Sequence, residues 1–175
     1  MKAYIQFILL IPIFSIIGVL YPSTTEKINN DNYYNVGVGD VELDLKLNSS
    51  FYGDNAGPSV FTFQVGGNYF ISKNLAPGIE LFIQDVDSQS QFRVLPNIKL
   101  YLPDHDRILP YAQVGLGVAN VPQGGGLNLR LGAGVNYLLT RSVAIGLSLQ
   151  YDFLMSDEAL HRIEIPVGFH FYFKY

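Results

Sequence analysis

The chain has 175 residues, of which 49% are hydrophobic and 14% aromatic, but only 15% are charged. Because an average soluble domain carries about 25% charged residues, this chain is short of groups that bind water. Twelve Tyr and 12 Phe exclude intrinsic disorder, and the absence of Cys excludes disulfides, thiolate metal sites and a lipoprotein anchor. The formal charge of −4 argues against nucleic acid as a partner, since nucleic-acid binding needs a basic face.

The N-terminal segment differs in composition from the rest of the chain. Lys2 is followed by an apolar stretch up to Leu20, and then by Tyr21-Pro22-Ser23. A charged start, an apolar core and a polar end are typical of a secretory signal peptide, although small residues do not stand at the usual cleavage spacing. We predict a signal peptide over residues 1–23, with an uncleaved signal anchor as the alternative, and a short polar lead-in over residues 24–33.

From residue 34 to residue 175, apolar and polar side chains alternate with a period of two, which is typical of β-strands. The predicted strands are long compared with the roughly 5–6 residues usual in soluble proteins, and a membrane-crossing strand needs about 9–11. We predict eight of them, at 34–47, 58–71, 76–86, 92–102, 109–120, 126–139, 143–154 and 162–175. The alternation slips near Gly37–Gly39, which indicates a bulge.

An internal repeat divides the predicted strands into two halves. Residues 66–81 align without gaps to residues 134–149, and six of the sixteen positions are identical. Each segment is predicted to be a strand, a turn and a strand, so the pattern favours two structural halves over chance similarity of two hairpins. The connections also alternate in character, because the second, fourth and sixth are compact and charged, and the others are rich in Gly, Ser and Asp.

Each predicted strand has one apolar and one polar face. The interior of an eight-stranded barrel is just wide enough for its own side chains, so it cannot hold all the large apolar residues. The polar face is instead rich in glycine and carries six acids and six bases, a balance that a buried face requires. These are Asp40, Glu42, Asp44, Glu80, Asp152 and Glu164 with Lys46, Arg93, Lys99, Arg130, Arg162 and Lys174. We therefore expect the apolar face to meet lipid, and the barrel to be closed.

The strand register predicts one particular charge cluster in the interior. The short connections on either side of the seventh strand place Asp152 opposite Arg130 on one side and Arg162 on the other. Another register would set Asp152 against Glu164, and like charges directly opposite each other are destabilising. We therefore predict a buried Arg130–Asp152–Arg162 cluster in which Glu164 offsets the excess positive charge.

Three segments carry a resemblance to a known family. They are VGGNYFISKNLAPGIEL from residue 65, PYAQVGLGV from residue 110 and GAGVNYLLTRSVAIGL from residue 132. They resemble the small outer-membrane β-barrel domain family of the OmpX and OmpA transmembrane type. The last eight residues, Gly168 to Tyr175, resemble the C-terminal insertion signal of that family, although the last residue is Tyr where Phe is usual.

The resemblance implies an eight-stranded antiparallel up-and-down transmembrane β-barrel in the cell outer membrane. It also implies outer-membrane lipid as the surroundings and the barrel assembly machinery as a partner during insertion. Gly168, Phe171, Phe173 and Tyr175 would form the insertion signal. A monomer is expected.

No catalytic, cofactor or metal site is predicted. Ser148 and His170 lie on polar faces of neighbouring strands, but nothing around them resembles a lipid-modifying esterase. Asp104-His105-Asp106 offers too few ligands for a metal site, and a solvated turn explains it. The glycines at 124–126 lack the following helix and Lys of a phosphate loop and are predicted to form a hairpin tip.

The expected function follows from the resemblance rather than from the residues. It is a structural, envelope-integrity or surface-interaction role without catalysis. The alternatives are a lipid-modifying outer-membrane enzyme, a narrow porin-like channel and a soluble lipocalin-like ligand-binding barrel.

Overall fold

The computed structural model describes residues 36–52, 60–86, 89–102, 107–121, 124–155 and 160–175. The predicted signal peptide over residues 1–23, the lead-in over residues 24–33 and the Asp104-His105-Asp106 turn lie outside these residues. In the described part of the chain, no helix is long and apolar enough to cross a membrane.

All eight predicted strands are present, and the eighth is divided into two, so the described residues form nine strands. They are β1 Val41–Tyr52, β2 Val60–Tyr69, β3 Leu75–Val86, β4 Gln89–Tyr101, β5 Ile108–Val121, β6 Gly124–Leu138, β7 Val143–Met155, β8 Leu160–Glu164 and β9 Val167–Phe173. β8 and β9 together form the eighth strand, because both pair with β7 on one side and with β1 on the other. Pro166 separates them, since it has no N–H for the ladder, although its carbonyl accepts a hydrogen bond from Ser148 N at 3.0 Å.

The strands close into a barrel. Each strand pairs antiparallel with its neighbours in the sequence, and β1 pairs with β2 and with the eighth strand. If one starts at Glu42 and steps from each residue to its paired residue on the next strand, one goes once around the barrel and returns to β1 at Tyr52. The strands are therefore staggered by ten residues in one circuit of the barrel. This stagger tilts the strands by about 40°. The predicted fold class is confirmed.

The two ends of the barrel carry different connections. The connections after β2, β4 and β6 lie at one end together with the C-terminus, and this is the turn end. The connections after β1, β3, β5 and β7 lie at the opposite end, which is the loop end.

A turn and a bulge precede β1, where the alternation of the sequence slips. Asp40 N donates to the carbonyl of Gly37 at 3.3 Å, and Gly39 has a φ of 96°, which favours glycine. Gly39 N donates to Phe70 O, and Phe70 N donates to Asp40 O, both at 2.9 Å. Gly39 and Asp40 together therefore lie opposite the single residue Phe70, which is the pattern of a β-bulge. The bulge predicted near Gly37–Gly39 is confirmed, and β1 begins after it, at Val41 rather than at residue 34.

The two repeated segments form turns with the same hydrogen bonds. In the turn after β2, Ile71 N donates to Leu75 O at 3.0 Å, and Leu75 N donates to the hydroxyl of Ser72 at 3.0 Å. In the turn after β6, the residues 68 positions later make the same bonds. Leu139 N donates to Val143 O at 2.9 Å, and Val143 N donates to the Thr140 hydroxyl at 3.0 Å.

The two faces of the sheet have the predicted orientation. Side chains of β7 alternate between exposed and buried, with Leu147 and Leu149 half exposed on the outside and Ser148 and Gln150 buried inside. Polar and charged side chains from the described strands fill the lumen. A soluble lipocalin-like barrel needs the opposite orientation, so that alternative is excluded.

Two predictions about individual residues are wrong. Lys174 is exposed rather than buried in the lumen, because β9 ends at Phe173 and the alternation ends with it. The glycines at 124–126 begin β6 instead of forming a hairpin tip, since Gly124 and Gly125 pair with Val121 and Asn120.

Candidate functional site

The lumen holds, towards the loop end, a group of charged side chains that we name the arginine cluster: Arg93, Arg130, Asp152, Arg162 and Glu164. The register places Asp152 opposite Arg130 of β6 and Arg162 of β8. Asp152 accepts hydrogen bonds from Arg130 Nε at 2.7 Å and from Arg162 Nη2 at 2.9 Å. Glu164 lies 2.7 Å from Arg130 Nη2 and 2.8 Å from Arg162 Nε. The structure thus brings together the four residues named from the sequence.

A third arginine and an aromatic ring complete the arginine cluster. Arg93 donates to Asp152 at 2.7 Å and to Glu164 at 3.0 Å. The guanidinium carbons of Arg93 and Arg130 lie 4.2 Å and 4.3 Å from the centre of the Phe82 ring, which is fully buried. Cation–π contacts of this kind stabilise the positive charge of the two buried arginines. Sequence reasoning missed Phe82, although the alternation in Glu80-Leu81-Phe82 places it on the same face as Glu80.

A second group, the lysine cluster, lies closer to the turn end and consists of Glu42, Asp44, Lys46, Lys99 and His170. The Lys99 ammonium lies 2.6 Å from Asp44 and 3.2 Å from Glu42. Lys46 lies 3.3 Å from Asp44. His170 Nδ1 lies 2.7 Å from Glu42 Oε1.

Glu80 of β3 joins the two clusters. Its carboxylate lies 2.9 Å from Lys46 Nζ and 3.5 Å from Arg130 Nη1, and it accepts a hydrogen bond from Gln113 at 2.8 Å. With Glu80, the clusters hold five carboxylates and five lysines and arginines, so they are neutral when His170 is neutral. Neutrality matters because an uncompensated buried charge costs several kcal/mol.

An aromatic plug closes the lumen at the turn end. Ring centres lie 5.3 Å apart for Phe70 and Tyr101, and 5.6 Å apart for Tyr101 and Tyr111. Tyr172 packs beside Phe70, and its hydroxyl accepts a hydrogen bond from Asn136 at 2.9 Å. These rings are almost fully buried, so side chains rather than an open passage occupy this level of the barrel.

The residues considered for catalysis and metal binding already have partners. Ser148 accepts a hydrogen bond from Gln150 at 3.4 Å, and within the described residues no hydrogen bond joins Ser148 to His170. Glu42, Asp44 and His170 offer ligand atoms within 4.8 Å of one another. The Lys99 ammonium already contacts both carboxylates, so a metal ion would have to displace a cation.

The residues of the predicted insertion signal lie in and beyond β9. Gly168 faces the lumen, Phe171 is buried and Phe173 is partly exposed. Tyr175 is fully exposed, and its backbone N–H donates to Asp40 Oδ1 at 3.3 Å.

No family model matches this sequence, and no curated protein matches it. Solved structures do match. The N-terminal β-barrel domain of OprF from Pseudomonas aeruginosa is 16% identical with a TM-score of 0.58, covering 78% of this chain and 100% of that chain. The outer membrane protein OprG of the same organism is 12% identical with a TM-score of 0.54, covering 83% and 100%. A de novo designed transmembrane β-barrel is 12% identical with a TM-score of 0.56, covering 79% and 98%.

The chain has the fold of the small outer-membrane barrels. The resemblance noted in the sequence is confirmed at the level of the fold. At these identities the likeness concerns the fold alone, and a designed barrel matches about as well as natural ones. Because one fold can host many activities, the role of this barrel has to be argued from its own lumen and surface.

Proposed function

We propose that this barrel is a structural protein of the outer membrane, which supports envelope integrity or surface interaction and carries out no catalysis. The observation that supports this role is the lumen, which a charge-balanced ion-pair network and an aromatic plug fill. A packed lumen of this kind makes a rigid body in lipid. It is the arrangement expected where the protein serves as a scaffold.

The narrow channel and the lipid-modifying enzyme are the competing functions. A channel needs a continuous passage, and eight strands leave room for side chains rather than an aqueous pore. An enzyme needs a nucleophile and a base within hydrogen-bond reach, and Ser148 and His170 each bond to other groups. Both observations favour the structural role.

The proposal includes the orientation and assembly of the barrel. The turn end would face the periplasm, as the short turns of outer-membrane barrels do. The signal peptide at residues 1–23 would direct export, and the barrel assembly machinery would read Gly168, Phe171, Phe173 and Tyr175. We expect a monomer, because a closed sheet leaves no unpaired strand edge with which another copy could form hydrogen bonds.

Cells that lack this chain test the structural role. We expect them to become sensitive to SDS and to large antibiotics that an intact outer membrane excludes. Wild-type protein and the S148A variant should restore resistance equally. If S148A accumulates in the outer membrane at the wild-type level but fails to restore resistance, catalysis is indicated. Single-channel conductance of the purified barrel in planar bilayers would instead indicate a channel.

A further inference from the structure

The two repeated turns carry the same set of three exposed side chains, which we name the turn triads. The first triad is Tyr69, Ile71 and Lys73, and the second is Tyr137, Leu139 and Arg141. The tyrosines and aliphatic side chains are between 44% and 50% exposed, and both cations are exposed. In each triad an aromatic ring, an aliphatic side chain and a cation follow one another towards the turn end.

Hydrogen bonds to a third strand hold both turns in place. In addition to the bonds within each turn, the carbonyl of Asn74 accepts a hydrogen bond from Tyr101 N of β4 at 2.7 Å. The carbonyl of Ser142, 68 positions later, accepts one from Tyr172 N of β9 at 2.8 Å. Lys73 and Arg141 each precede one of these acceptors directly, so both cations stand on backbone that is fixed by the barrel.

The triads lie on opposite sides of the barrel. The β2–β3 and β6–β7 hairpins are four strands apart in a closed sheet of eight. Eight strands about 4.8 Å apart with a tilt of about 40° give a diameter of about 16 Å. The two triads are therefore too far apart to share one small ligand, and each must act on its own.

The chemistry of a triad fits the edge of a membrane leaflet. Tyrosine prefers the headgroup level of a bilayer, and in each triad the aliphatic side chain lies between the tyrosine and the cation along the chain. A Lys or Arg at the same level attracts anionic lipid. We propose that each turn triad binds the phosphate of an anionic glycerophospholipid, such as phosphatidylglycerol, in the leaflet at the turn end. This inference rests on the proposed function, which sets the barrel in a membrane with its turn end towards the periplasm.

Lipid retention in nanodiscs tests the proposal. The chain as recovered from bacterial membranes is placed in nanodiscs of phosphatidylcholine and phosphatidylglycerol at 3:1, and native mass spectrometry measures the lipids that remain bound. We expect phosphatidylglycerol to be enriched about fivefold at each triad. K73Q and R141Q should each lose about half of the bound phosphatidylglycerol, because well-separated sites act independently. The double variant should lose the preference.

Two control variants show whether the triad or charge alone is responsible. K174Q removes an exposed cation at the same end, but His170 and Tyr172, four and two positions before Lys174, are buried in the lumen. It should keep the wild-type retention, and the charge-preserving K73R/R141K variant should keep it as well. A loss in K174Q as large as that in K73Q would overturn the proposal.

Three outcomes separate this inference from the proposed function. If the K73Q/R141Q barrel stays folded and still retains phosphatidylglycerol at the wild-type ratio, the inference fails and the structural role stands. If the wild-type chain forms no folded barrel in nanodiscs, the proposed function fails first. If discs with lipid A in place of phosphatidylglycerol show equal or greater retention, the ligand is the phosphate of the opposite leaflet, and the proposed source is wrong.

Discussion

Gly146 shows how little space the lumen leaves at a single position. A Cβ added there would meet the amide oxygen of Asn136 and Nε2 of His170. Gly67, on the outward face of β2, has nothing within 4 Å of such an atom. We expect G146A to lower the free energy of unfolding by about 1–3 kcal/mol, as overpacking does, and G67A to change it little. Urea unfolding in detergent micelles measures both, and equal effects would contradict the lumen packing.

Asp152 is the residue on which the arginine cluster depends most. It accepts hydrogen bonds from Arg93, Arg130 and Arg162 at 2.6–2.9 Å. Removing the carboxylate leaves buried arginines without their partner, so D152A should destabilise the barrel by about 3–5 kcal/mol. The matched control is D157A, in the connection between β7 and β8, which should unfold like the wild type. Unfolding of D152A at the wild-type urea concentration would argue against the network as a source of stability.

At the scale of one strand, the outward-facing side chains of β7 must be apolar because they contact lipid. Leu147 is 50% exposed near the middle of the strand, and Leu139 is 48% exposed in the turn that precedes it. L147R should cost about 2–4 kcal/mol, and L139R about 0–1 kcal/mol, because the cost of arginine falls from the bilayer midplane to the interface. Folding titrations in phospholipid vesicles compare the two. If both substitutions cost the same, β7 does not cross the bilayer as described.

The end of β9 closes the sheet against the start of β1. Phe173 pairs with Val41, and Phe171 pairs with Leu43. Deletion of residues 173–175 removes part of this pairing and part of the predicted insertion signal, so we expect loss of outer-membrane insertion and degradation in the periplasm. Fractionation and heat-dependent gel mobility measure the outcome. The matched control, K174Q, changes one exposed residue of the same segment and should insert normally.

The strands could be predicted well from the sequence because lipid imposes a strict rule on each of them. Every outward position must be apolar, so the period of two is visible over whole strands, and β7 was predicted to within one residue. The rule stops applying where a strand ends. The alternation of β9, extended past its last paired residue, Phe173, therefore wrongly predicts Lys174 in the lumen.

At the scale of the whole molecule, the closing of the sheet into a barrel determines which contacts in the lumen the sequence can predict. Neighbouring strands joined by short turns have a register that can be counted, which brought Arg130, Asp152, Arg162 and Glu164 together in advance. Arg93 reaches the same carboxylates from across the barrel, and no turn length connects β4 to β7. Contacts across the lumen depend on the stagger of the closed sheet, and the sequence does not display that stagger.

The division between a lipid-facing and a lumen-facing side is the central claim of this account, and a cysteine scan of β7 tests it most directly. The chain contains no Cys, so each variant from residue 147 to residue 151 carries one spin label. Collision with oxygen dissolved in the bilayer should be high at Leu147 and Leu149 and low at Ser148 and Gln150, with a period of two along the strand. High oxygen collision at the even-numbered positions, or no alternation, would contradict the account.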